Sequence, residues 1–251
     1  MTITVHQFAC LTDNYGFLVR DKASGQVACI DTPDADAIMA ELDRLGWTLT
    51  HILNTHWHPD HAGGNAAIKA RTGAIIVAPP EVEKTSAIDR VVADGDHVDL
   101  GGTRFEVLET GGHTLGHIIY SSPATGVAFV GDTLFPMGCG RLFEGTAGQM
   151  WTSLSRIAAL PPETVVYSAH EYTLANARFA LSVDKGEAVA ARAAAVAAAR
   201  ERGEPTVPTT IAEERATNPF LRAPLLLGES GRADPVAAFA QIRAAKDAFA
   251  G

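Results

Sequence analysis

Cysteine is scarce in this chain of 251 residues: Cys10, Cys29 and Cys139 are far apart and form no CxxC pair. An odd count at such spacing argues against a disulfide framework or a structural zinc knuckle and leaves isolated thiols. Long apolar runs are missing too. Although 47% of the chain is hydrophobic, no stretch approaches the roughly 18 apolar residues of a membrane span. Positive charge is in deficit, with 20 basic against 29 acidic side chains and a formal charge of −9. Such a surface repels phosphate backbones, so nucleic acid is not an expected partner. The start, Met1-Thr2-Ile3-Thr4-Val5-His6, alternates like a strand and lacks the basic and apolar regions of a secretion signal. The expectation is a cytoplasmic, monomeric protein with no membrane partner.

The first two thirds alternate β-rich runs with shorter helical patterns. Strands are expected at residues 3–10, 14–20, 26–31, 50–54, 74–78, 103–108, 117–121, 127–130 and 164–168. Ile38, Leu42 and Leu45 at helical spacing, with Gly46 as a stop, predict a helix over 35–45. Further helices are expected at 65–71 and at 150–160, the latter closed by Pro161-Pro162. After about Tyr172 the composition shifts. The alanine-rich run 188–200, with Val189 and Val196 on one face, and the run 234–249 both read as helices. Sheets covered by helices, followed by a helical tail, are the implied organisation.

The chemistry concentrates in His56-Trp57-His58-Pro59-Asp60-His61, directly after the 50–54 strand. Three imidazoles and a carboxylate within six residues suit zinc, iron or manganese, and no cysteine belongs to the set. Pro59 is expected to prevent a regular helix across the run, so alternate side chains can aim at different points. Three later residues follow one grammar, a polar side chain at the end of an apolar run: His113, Asp132 and His170. Each alone is weak, but strand ends on one edge of a sheet converge. His117 supports a ligand or merely packs; His6, His51 and His97 have no such context. Cys139, between two glycines, has no neighbouring base or cation to form a thiolate and is expected to be structural.

On these residues the chain resembles the metallo-β-lactamase superfamily. His56 to His61 is its HxHxDH signature, and His113, Asp132 and His170 match the later ligands of its two-metal members. The resemblance covers roughly residues 1–170 and implies an α/β fold, an αββα sandwich with a C-terminal helical appendage. The division it suggests is a catalytic domain at 1–172 and a helical substrate-binding domain at 173–251. Several segments are similar to the glyoxalase II family in particular: Thr55 to Asn65, Gly131 to Phe135, Gly138 to Arg141, Glu144 to Thr146, His170 to Thr173 and Asn218 to Arg222. That resemblance implies two divalent metal ions, zinc foremost and iron or manganese as alternatives. One would rest on His56, His58 and His113, the other on Asp60, His61 and His170, with Asp132 bridging. It also implies that Arg141, Phe143, Tyr172, Arg243 and Lys246 hold a glutathione thioester. Phe143 stands where the family often has tyrosine, which would remove one hydrogen bond.

The implied reaction is hydrolysis of S-D-lactoylglutathione to D-lactate and glutathione. Asp60 and Asp132 would serve at the centre, and a water shared by the metals would be the nucleophile. Two rivals remain on the same scaffold: a one-iron persulfide dioxygenase, and a non-enzymatic metal or redox protein. The first keeps fewer ligands than this chain offers, and the second usually carries Glu where this chain has His58.

Overall fold

Runs of alternating or continuous apolar residues build most of the strands in the computed structural model, which describes residues 2–250. The chain falls into two compact units, Met1–Glu109 with Gly116–Gly131 and Thr110–Leu115 with Asp132–Gly251.

The first unit runs β1 (Ile3–Cys10), β2 (Asn14–Asp21), β3 (Val27–Ile30), α1 (Ala35–Leu45), β4 (His51–Leu53), α2 (Pro59–Ala62), α3 (Asn65–Thr72), β5 (Ile75–Ala78) and β6 (Arg90–Val91). It continues with β7 (His97–Leu100), β8 (Thr103–Glu109), β9 (Ile118–Ser122) and β10 (Val127–Gly131). One sheet has the order β1-β2-β3-β4-β5-β6, antiparallel up to β3 and parallel beyond it. The strands β7, β8, β9 and β10 form an antiparallel meander.

Both faces of the first sheet are covered, which is why its middle strands read as continuous apolar runs rather than alternating ones. Leu18, Cys29, Ile52 and Ile76 pack on Ile38 and Leu42 of α1 and Ile68 of α3. Residues on the other face meet the meander, with the Phe17 and Phe129 rings 5.8 Å apart. Full burial of Ile38 and Leu42 contributes about 1.5–3 kcal/mol each. Helix α1 is closed at both ends. Asp34 accepts from the Asp36 and Ala37 amides, and Gly46 takes the left-handed conformation, φ 63°. Because β3 and β4 are parallel, the segments leaving them, Asp31-Thr32 and Asn54 to His61, emerge at one edge.

The second unit contains the hairpin β11 (Leu134–Phe135) and β12 (Gly138–Cys139), then α4 (Ala147–Ala158), β13 (Val165–Ser168), α5 (Thr173–Val183) and α6 (Glu187–Glu201). It ends with β14 (Thr209–Thr210), α7 (Ile211–Thr217), α8 (Ala223–Leu226), α9 (Gly228–Ala233) and α10 (Pro235–Asp247). Its core includes the Phe179, Phe220 and Phe239 rings, stepped at 5.9 and 6.1 Å. On α6, Val189, Ala193 and Val196 are buried. Among the described residues no helix is long and apolar enough to cross a membrane.

Two expectations shift. The helix read at 150–160 begins at Ala147, because Thr146 and Gln149 form a capping box that the apolar pattern does not reveal. As expected, no helix crosses the histidine run: Pro59 opens α2 at a first position that needs no amide hydrogen, and His56 and His58 stay outside it. The helix α5 was not expected. Its apolar residues lie nearly all round and leave no single stripe to detect.

Candidate functional site

In the first unit the chain leaving β4 passes through Asn54 and Thr55 into His56, all three buried. The loop is fixed from several sides. Tyr120 Oη donates to the Asn54 carbonyl at 3.0 Å, and the Asn54 amide group donates to the His61 carbonyl at 2.8 Å. His56 Nδ1 lies 3.0 Å from Thr55 Oγ1, while its Nε2 lies 3.0 Å from His58 Nδ1. His61 Nδ1 lies 2.8 Å from Asp31 Oδ2, and its Nε2 lies 3.5 Å from Asp60 Oδ2. Asn14 Nδ2 donates to that same Asp60 oxygen at 3.1 Å. His117 is buried and stacks on His56 with ring centroids 4.8 Å apart, so it packs against the cluster.

Asp31 is a member of this set that the sequence reading passed over. It sits at φ 56°, a conformation costly for a residue with a side chain. From there it accepts from the Thr55 amide at 2.7 Å and from Thr55 Oγ1 at 2.8 Å, and faces His61. Ligand atoms of Asp31, His56 and His61 all lie within 4.8 Å of one another. The sequence signal was present: Ala28-Cys29-Ile30-Asp31 has the apolar run and polar end of the other candidates.

In the second unit Asp132 lies between two buried imidazoles. His113 Nε2 is 3.4 Å from Asp132 Oδ2, and His170 Nε2 is 3.4 Å from Asp132 Oδ1. His113 Nδ1 lies 2.9 Å from the Arg141 carbonyl, which fixes the ring. Gly140 is required by space: a Cβ there would stand 2.0 Å from the Asp132 carbonyl and 3.1 Å from His113 Nδ1.

The donor set fits divalent metals. In His56, His61 and His113 one ring nitrogen is tied to a hydroxyl, carboxylate or carbonyl, and the other turns to a ligand-type atom. Metal-binding histidines are oriented in this way. Asp132 has one imidazole nitrogen near each carboxylate oxygen. His6, His51 and His97 lie elsewhere, against Glu41, Thr50 and Asp99.

The second unit also holds a cavity of about 420 Å³, lined by Arg141, Phe143, Tyr172, Arg243 and Lys246 together with His113 and Asp132. Phe143 meets the His113 ring edge-on at 5.2 Å and is 62% exposed. Tyr172 is 38% exposed and stacks on His170, centroids 4.7 Å apart and planes 2° from parallel. Arg243 is only 5% exposed. It donates to Asp247 Oδ1 at 2.7 Å and to the Cys139 carbonyl at 3.2 Å. Lys246 Nζ donates to the Ala175 carbonyl at 3.0 Å. Burial, then the nearby charges of Arg243 and Arg141, hold the Lys246 ammonium below the usual lysine range.

One expectation about Cys139 is corrected here. It has a cation beside it after all, since Arg243 Nη1 lies 3.7 Å from its sulfur. Burial still outweighs that charge and pushes the thiol up to about 11.

Comparison with known proteins accounts for both parts of the chain. Residues 30–170 match the metallo-beta-lactamase superfamily, and residues 171–249 match the hydroxyacylglutathione hydrolase C-terminus. The chain is 56% identical to the hydroxyacylglutathione hydrolase of Erythrobacter litoralis over 250 residues, 98% of this chain and 100% of the relative. It is 55% identical to that of Maricaulis maris, covering 98% and 99%. Among solved structures, ETHE1 from Myxococcus xanthus matches with a TM-score of 0.71 and 29% identity, over 96% of this chain and 90% of that one. A metallo-beta-lactamase from Staphylococcus aureus shares the fold at a TM-score of 0.66 and 21% identity, over 96% and 70%. With the metallo-beta-lactamase fold and a matching C-terminal region, the chain belongs to the hydroxyacylglutathione hydrolase family.

Proposed function

We propose that this protein hydrolyses S-D-lactoylglutathione, or a closely similar 2-hydroxyacyl glutathione thioester, to the hydroxy acid and glutathione. The observation that carries the reading is the cavity of the second unit, where His113 and Asp132 share one lining with Arg141, Arg243 and Lys246. An acidic protein that concentrates three cations beside ligand-type side chains is equipped for an anionic substrate.

In this reading His56 and His58 join His113 around one divalent ion, zinc foremost and iron or manganese as alternatives. Asp60 and His61 join His170 around a second, with Asp132 shared. The pairings within each unit support it: His56 with His58, Asp60 with His61, and Asp132 with His113 and His170. When bound, such a pair of ions lowers the pKa of a water molecule and polarises the thioester carbonyl.

The chain's own groups do the rest. Asn14 fixes the Asp60 carboxylate, and Asp31 fixes the ring of His61. Arg141 and Lys246 pair with the carboxylates of the thiol-peptide, while buried Arg243 adds positive potential from a fixed position. The exposed faces of Phe143 and Tyr172 bury against the substrate and exclude water. The leaving thiol, with an ordinary pKa of about 8.5, departs as thiolate without a protein acid. We assign the catalytic part to residues 1–172 and the substrate-binding part to 173–251, in a monomeric cytoplasmic enzyme.

Metal analysis joined to a thioester assay tests the reading. The purified protein is expected to carry two divalent ions per chain and to hydrolyse S-D-lactoylglutathione. Stripping with a chelator abolishes turnover, and adding back zinc, iron or manganese restores it. A metal-replete protein without thioesterase activity, or full activity after stripping, sinks the proposal. One iron per chain with oxygen uptake would favour a dioxygenase instead.

A further inference from the structure

The tail segment Asn218-Pro219-Phe220-Leu221-Arg222 has no part in the chemistry proposed above, yet Asn218 is fully buried. Its side chain grips the hairpin β11–β12 from outside. Asn218 Nδ2 donates to the Phe135 carbonyl at 3.2 Å and the Gly138 carbonyl at 2.9 Å, the residues that flank the turn. Its Oδ1 accepts from the Phe220 amide at 3.0 Å.

Two further side chains hold the same turn. Asn176 Nδ2 on α5 donates to the Pro136 carbonyl at 3.2 Å. Glu214 Oε2, one helical turn before Asn218, accepts from the Met137 amide at 2.9 Å and from Asn218 Nδ2 at 2.8 Å. Met137 sits at φ 56°, where a side chain is disfavoured unless its surroundings enforce it. The Glu214 carboxylate is itself buried and is met by Arg192 at 2.5 Å.

The hairpin matters because it is a wall. Phe135, Cys139 and the following Gly140 line the cavity. Phe135 meets the Tyr172 ring edge-on at 5.2 Å and the His170 ring at 6.0 Å. The Cys139 carbonyl anchors Arg243. A shift of this turn therefore displaces an aromatic face and a buried cation together.

We propose that Asn218 is a positioning residue: by clamping the Phe135 and Gly138 carbonyls it sets the cavity wall against which the substrate is held. The inference rests on the reading that this cavity takes the thiol-peptide part of the thioester.

Asn218→Ser tests it, since serine keeps an oxygen for the Phe220 amide but replaces the amide NH2 with a single, shorter hydroxyl that cannot hold both turn carbonyls. The expected result is a KM for S-D-lactoylglutathione raised about tenfold, with kcat within about threefold and metal content unchanged. Ile157→Val, a core truncation on α4 outside the cavity lining, serves as a control for lost stability and should leave KM unchanged. The second readout needs no activity: iodoacetamide modification of Cys139, followed by peptide mass mapping. Loosening the wall is expected to speed that modification about tenfold in Asn218→Ser and not in the control. An unchanged Cys139 rate overturns the clamp, as do equal effects in both variants. An inactive wild type overturns the thioesterase reading instead, and the Cys139 rate then decides the clamp alone.

Discussion

The histidine loop of the first unit and the cavity of the second solve opposite problems. In the loop, His56 and His61 are buried and each has one nitrogen tied to Thr55 or Asp31. In the cavity, Phe143 and Tyr172 keep apolar surface in water, and Lys246 carries its charge in a half-buried place that disfavours it. A resident cation calls for groups fixed in advance, and the loop has them. A substrate that arrives and leaves calls for groups whose free state is the less comfortable one, so that binding relieves them.

The sharpest break of that contrast is His58→Ala. Loss of a ligand is expected to lower kcat more than about 100-fold, beyond the scale of outer-sphere changes, with the thermal midpoint nearly kept. Retained activity would show that the loop holds nothing essential. Next comes Asp31→Asn, which removes the carboxylate facing His61. Metal affinity is expected to fall about 10–100-fold in a chelator competition, while KM moves little. A KM effect without a metal effect would erase the division of labour.

The smallest expected change is in the cavity. Lys246→Met should raise KM about tenfold, the size of one charge-assisted hydrogen bond, without lowering the thermal midpoint. The sign follows from its lowered pKa. Between that value and 10.5 the unfolded chain binds the extra proton, so stability rises with pH there, and at neutral pH the charged side chain costs stability. Correspondingly, wild-type KM is expected to climb with pH before ordinary lysines titrate, a rise absent in the variant. An identical alkaline profile in both proteins would remove Lys246 from the binding role.

Much of this was legible in the sequence. Strands and α1 announced themselves because apolar residues recur at strand or helix spacing, and the ligand-type residues because they end apolar runs. The outer layer was harder. Asp31 followed the same rule but stands alone, 25 residues before His56, so nothing drew attention to it. Helix α5 has no apolar stripe, and Thr146 caps α4 through a hydrogen bond that periodicity does not encode. Arg243 beside Cys139 was invisible for a simpler reason: 104 residues separate them, and only the folded chain joins them.

The Cys139 thiol lines a cavity proposed to receive activated acyl groups, where a thiolate would invite acyl transfer onto the protein itself. With its pKa pushed up to about 11, the thiol stays protonated at neutral pH. In the proposed reaction, a thiol held protonated by burial would be a poor competitor of water for the acyl group.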